Sequence, residues 1–298
     1  MLPRLLINLA LLVIVIALGF FVYLKKNEPL DNNRLTALDT NAITHIEIQH
    51  RSRLTILDKS GKHWRMTQPV EIDANDFRIN TLLDMLTSNS LASYDASTLS
   101  LEKYALAPAA TSITFNSTTI AFGNTNPVNH NRYVMIGDRV HLVADMYYPL
   151  LSSQLGTLVS QSLLSRDAVI NRLVLPEQTL TFSDNAWRSS DPGISSDAII
   201  KTLDHWRNSQ AFGVHTYNPR ASLGRIEVGI DGQDEPLVFE ITDVEPWLII
   251  ARPALDIEYH FNLEFYDRLL RPGASSGELP ADFQDNSQSL TDGILQPL

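Results

Sequence analysis

Two stretches of this chain carry the same marks in the same order, and that duplication narrows the possible folds more than any other feature. In the first, Trp64 follows a tight turn at Lys59–Lys62, and a helical pattern over about 74–87 contains Asp76, Thr81 and Leu82. In the second, Trp187 follows a turn, and a helical pattern over about 196–209 contains Asp197, Thr202 and Leu203, each at one offset from its counterpart. A second constant register closes each half: Val140-His141 against Tyr259-His260, Tyr147 against Tyr266, and Leu150-Leu151 against Leu269-Leu270. Two copies are too few, and the period too long, for a solenoid.

The elements between these marks read as strands. Ile46 and Ile48, Leu54–Leu57 and Trp64–Met66 alternate or cluster as half-buried strands do, and Pro69 ends the third. Residues 113–122 form one hairpin and 132–143 another, around Gly137-Asp138. The second half gives strands at 169–175, 180–182, 226–230, 237–241, 247–251 and 257–263. The expected fold is α+β: two tandem units, 43–160 and 165–271, each of order β-β-α-β-β-β-β, an antiparallel sheet with one covering helix. Asp73 is the expected cap of the first helix, with Phe77, Leu82, Leu83 and Leu86 near one side; Ser195 or Ser196 caps the second, with Ile199, Leu203 and Trp206 inward.

Ahead of the units, residues 5–24 read LLINLALLVIVIALGFFVYL, twenty residues with one polar member, Asn8. At ~1.5 Å per residue this helix spans a hydrocarbon core. Arg4 and Lys25-Lys26 flank it, and it ends in Phe-Phe-Val-Tyr-Leu with no small-residue cleavage site, so an uncleaved anchor in membrane lipid is expected over 1–26. Lys and Arg are nearly balanced across it; the expected orientation, N-terminus in the cytoplasm and the rest translocated, follows from the short leader. Residues 27–42 read as a linker and 272–298, acidic and poor in apolar residues, as a disordered tail.

Charge removes some partners. With 23 Lys and Arg against 34 Asp and Glu, the chain has a net charge of −11, which excludes nucleic acid as an expected ligand. Cys is absent, so neither a disulfide nor a thiolate metal site is available. No phosphate-binding glycine loop, nucleophile elbow or H-E-x-x-H occurs, and no cofactor, metal or catalytic residue is expected. His141 and His260 hold equivalent places, and a site shared between the units is conceivable there; the structural alternative is two partly buried strand residues of common descent. Trp64 and Trp187 read as core aromatics. Asp73 and Asp76 read as helix-capping groups, and alternation puts Asp256 and Glu258 on a solvated strand face.

Trp64–Pro69, the helix Asp76–Leu86, the segment Lys103-Tyr-Ala-Leu-Ala-Pro108 and the hairpin from Arg132-Tyr-Val134 to Val143 together resemble domain-of-unknown-function family 4340. The resemblance covers roughly 43–270. It implies a bacterial, membrane-anchored protein of the inner membrane with a periplasmic domain. It further implies an accessory role beside an ABC-type permease and its auxiliary subunit, and it supplies no catalytic residue. The second unit has His215-Thr-Tyr-Asn-Pro219 in place of the Lys103–Pro108 piece. A non-enzymatic accessory or scaffold protein is the expected function; an extracytoplasmic small-ligand-binding module is the alternative.

Overall fold

The computed structural model describes residue 14 and residues 34–274. The anchor expected over 5–24 lies outside the described residues except for Ile14, as does the tail from 275 onward. Among the described residues no helix is long and apolar enough to cross a membrane.

Two antiparallel sheets dominate. The first contains β1 (His45–His50), β2 (Arg53–Ser60), β3 (His63–Gln68), β4 (Ile72–Asp73), β5 (Ala92–Asp95), β6 (Thr111–Phe115), β7 (Thr118–Thr125), β8 (Arg132–Ile136) and β9 (Arg139–Val143). The second contains β10 (Ile170–Val174), β11 (Thr179–Ser183), β12 (Ala186–Ser189), β13 (Gly213–Thr216), β14 (Gly224–Ile230), β15 (Leu237–Asp243), β16 (Trp247–Arg252) and β17 (Ile257–Asn262). Their orders are β4-β3-β2-β1-β6-β7-β8-β9-β5 and β12-β11-β10-β14-β15-β16-β17-β13. Without the two-residue β4, the orders coincide strand for strand. The fold is therefore α+β, mostly β, and internally duplicated.

Against the six strands per unit of the expected order β-β-α-β-β-β-β, the first sheet has nine and the second eight; β3 and β12 ahead of the helix, β5 and β13 after it, and the two-residue β4 are the additions. β5 and β13 follow the helix and pair with the last long strand of their sheet, Ser93 opposite His141 and Gly213 opposite His260. Only one residue of β13 and none of β5 is fully buried, so neither shows an alternation to read. Elsewhere alternation holds: in β1 Ile46 and Ile48 point inward, and in β14 Ile226, Val228 and Ile230 do. At Gly137, φ is +56°, the left-handed conformation that a two-residue turn between paired Ile136 and Arg139 requires.

The first helix, α1 (Asp76–Asp84), is shorter than predicted and continues as a 3-10 turn over Met85–Thr87. Its cap is Asn75, whose Oδ1 accepts from the Arg78 N–H at 3.2 Å, and not Asp73, which is held in β4 against β3. Ile79, Leu82, Leu83 and Leu86 are buried at helical spacing; Phe77, two positions off that stripe, is 73% exposed, contrary to the expected covering role. A five-residue helix, α2 (Tyr148–Ser152), follows β9. In the second half α3 (Ser196–Asn208) is capped by Ser195, which accepts from the Ala198 N–H at 3.2 Å. It buries Ile199, Leu203 and Trp206, each worth about 1.5–3 kcal/mol of transfer free energy. The Trp206 Nε1–H donates to the Leu269 carbonyl at 2.8 Å, which fixes α3 to α4 (Phe265–Leu270).

The described residues form two compact units. The smaller comprises the segment up to Ala42, Leu83–Ala109 and Ile120–Asp145; the larger comprises Ile43–Leu82, Ala110–Thr119 and the chain from Met146. In the smaller unit Ile120, Val134 and Val140 are buried, and Arg132 meets Asp145 through Nε and Nη2 at 2.6 and 2.9 Å. Leu35 is buried there and its N–H donates to the Ser88 carbonyl, so packing begins ahead of Ile43. The larger unit holds β1–β4, β6 and the whole second sheet, with Trp64, Trp206, Phe239 and Tyr259 in its interior.

Candidate functional site

The paired strands place His141 and His260 at one ladder position: β8 sets Val134 opposite His141, and β16 sets Ile249 opposite His260. Their surroundings differ. His141 lies in the smaller unit with its Nδ1 3.0 Å from the Ser90 hydroxyl. Burial, with the Arg139 charge adding, lowers its pKa from the ordinary value. His260 lies in the larger unit with its Nε2 2.8 Å from Glu258. Where the first copy has Arg139, the second has Glu258, so inheritance preserved the histidine and reversed the charge beside it. Among the described residues no group of three or more His, Asp or Glu side chains is placed to hold a metal.

Glu258 is buried, not solvated as alternation predicts. Both faces of β17 are covered at this point, with Ile257 and Tyr259 buried on either side in sequence. Its carboxylate accepts from Arg220 at 2.7 Å, from the Asn218 N–H at 3.1 Å and meets His260. Burial pushes the Glu258 carboxyl up, but the hydrogen bonds from Arg220, His260 and Asn218 and the Arg220 charge carry it below its ordinary value. Above this anchored carboxylate lies an aromatic surface. Phe212 and Trp247 are 49% and 45% exposed, and their rings meet edge to face with centroids 5.6 Å apart. His260 touches both, and His215 lies 4.5 Å from it, centroid to centroid. Burial and the neighbouring His260 hold the His215 pKa below the ordinary histidine value. In the first copy Arg132 stands where Trp247 stands, so the aromatic face belongs to the second copy alone.

The other markers serve the scaffold. Trp64 is buried beneath Lys59, whereas Trp187 is only half-buried against the exposed Phe182, short of the core position expected for it. Asp76 accepts from the Trp64 N–H at 3.0 Å, lies 2.7 Å from His63 and 2.8 Å from Arg166, so it ties α1 to β3 and to the segment after Ser160. Its counterpart Asp197 is exposed in the first turn of α3, where a negative charge complements the helix dipole.

A second feature of the larger unit escaped the sequence reading. A cavity of about 140 Å³ is lined by Arg65 and Asp73 from the first sheet and by Arg252 and Tyr259 from the second. Arg65 reaches Glu71 and Asp73, both at 3.2 Å. Tyr259 is completely enclosed and its hydroxyl makes no hydrogen bond among the described residues. The only trace of this site in the sequence is an arginine closing the apolar run Leu248–Ala251, which reads equally well as a strand end.

A duplicated α+β fold of two antiparallel sheets is thus joined to an aromatic surface and a polar cavity. The family read from the sequence is the one whose model matches: residues 64–186 match the Domain of unknown function (DUF4340). The matched stretch opens at Trp64 and closes one residue before Trp187, so it spans one period of the duplication. No curated protein and no solved structure matches the chain.

Proposed function

We propose that this chain is a non-enzymatic, membrane-anchored accessory or scaffold protein of a bacterial envelope complex, docked on an ABC-type transporter. The observation that carries this reading is the exposed aromatic face of Phe212, Trp247 and His260, held rigidly over a buried ion-paired carboxylate. Aromatic side chains on a stiff sheet edge supply large contact area at little entropic cost, as protein-docking centres do. The apolar run 5–24 supports an inner-membrane anchor with the sheets in the periplasm, and the family resemblance supports the permease and auxiliary subunit as partners. Asp76 and Glu258, one from each acidic pair in the sequence, are occupied in structural ion pairs. The test is recovery of the full-length protein, tagged at its C-terminus and expressed at native level, in mild detergent. Stoichiometric recovery of a permease and an ATPase is expected; a partnerless protein would overturn the reading.

The cavity beside Arg252 and Tyr259 favours a second reading, an extracytoplasmic small-ligand-binding module, because it combines a concave volume with unsatisfied donors. A thermal-shift panel of sugars, peptides and small acids tests it: a shift with at least one is expected, and silence throughout would remove it.

A further inference from the structure

We infer that the cavity framed by Arg65, Arg252 and Tyr259 binds a compact, singly charged carboxylate. This deepens the ligand-binding reading and rests on it.

The first argument is an unsatisfied donor. A fully enclosed tyrosine hydroxyl without a partner carries an uncompensated desolvation penalty, so buried phenols ordinarily find an acceptor. The Tyr259 hydroxyl has none among the described residues, and Tyr259 is part of the cavity's lining. Burial pushes its pKa up to about 12, so at neutral pH it stays a hydrogen-bond donor.

The second argument is charge. Arg252 stands two residues along β16 from Ile250, which faces Tyr259 in β17, so the two side chains are diagonal neighbours on one sheet face. The guanidinium rests on the Phe239 ring at 5.7 Å and has neither a carboxylate nor a hydrogen-bond acceptor among the described residues. Burial lowers its pKa from the ordinary value, and the Arg65 charge acts in the same direction. A desolvated guanidinium keeps its five donors and gains most from an acceptor that takes two of them at once, which a carboxylate does. The two carboxylates on the wall, Glu71 and Asp73, both pair with Arg65, so the four charged side chains sum to zero and Arg252 is the one without an ionic partner. A compact carboxylate gives Arg252 that partner while adding a single negative charge, whereas a doubly charged phosphate would add two beside Glu71 and Asp73. Leu163 and Leu237 form an apolar wall that suits a short aliphatic tail.

The experiment is thermal unfolding of the full-length protein in detergent, with sodium formate, acetate or butyrate titrated against chloride at equal ionic strength. The unfolding midpoint is expected to rise saturably with at least one carboxylate and not with chloride. Tyr259→Phe removes only the unpaired hydroxyl, so it should fold with an equal or higher midpoint in chloride while binding the carboxylate about tenfold more weakly. Arg252→Gln should abolish the response. Equal responses of wild type and Tyr259→Phe would overturn the assignment. So would silence of the wild type to all three acids; if a sugar or an uncharged peptide then shifted the midpoint, the ligand-binding reading would survive without the carboxylate.

Discussion

At the scale of single residues, the most consequential side chain is Glu258, a buried carboxylate with three hydrogen-bond partners. Its folded-state pKa lies below the ordinary value of 4.5, so its contribution to stability is complete above that value and is lost as pH falls through the lower folded-state value. Glu258→Gln should reduce stability at neutral pH by about 2–3 kcal/mol, because Arg220 and His260 lose their charged acceptor. It should also flatten the acid limb of the stability profile, measured by urea denaturation at a series of pH values. Parallel acid limbs for the two proteins would show that Glu258 carries no linkage. This residue also shows where pattern reasoning fails. Alternation along Ile257–Tyr259 predicts an exposed position, and nothing local announces that Arg220 and Asn218, from the loop before β14, fold over that face.

At the scale of elements, the second helix and the sheet edge make separate predictions. Ser195→Ala removes the cap of α3 and should cost about 1 kcal/mol, read from chemical denaturation, with no change in the sheet signal by far-UV circular dichroism. Gly156 lies in the 3-10 segment Leu155–Leu158, and a Cβ there would sit 2.2 Å from the Val214 carbonyl in β13. Gly156→Ala should therefore lift the segment off β13, cost about 3 kcal/mol and expose the terminal strand of the second sheet. Sedimentation velocity should then show concentration-dependent self-association that the wild type lacks. The strong strands, the two covering helices α1 and α3 and the Ser195 cap were legible because each has a local signature: alternation, helical spacing, or a polar residue ahead of an apolar stripe. β5 and β13 were not, because four polar or small residues become strands only through pairing with β9 and β17, elements distant in sequence. The choice of Asn75 over Asp73 as cap was decided the same way, by the pairing of β4 with β3.

At the scale of the molecule, the duplication preserved topology and let surface chemistry diverge. The two sheets share one strand order, and even the ladder positions of His141 and His260 agree. Yet the second copy acquired Trp247 where the first has Arg132, and Glu258 where the first has Arg139. The repeat was readable because packing residues recur at fixed offsets. The aromatic face and the cavity were not, since they assemble side chains from β3, β4, β13, β16 and β17 that no sequence spacing brings together. The central claim is that this diverged face docks an integral membrane partner. Its most direct test is a photo-crosslinking amino acid placed in turn at Phe212 and Trp247 of the full-length protein in cells, with exposed Phe182, on the distant edge pair β11–β12, as the control position. Crosslinks to a permease or its auxiliary subunit from Phe212 and Trp247, and none from Phe182, are the predicted result. Equal labelling from all three positions, or none from the first two, would contradict the account.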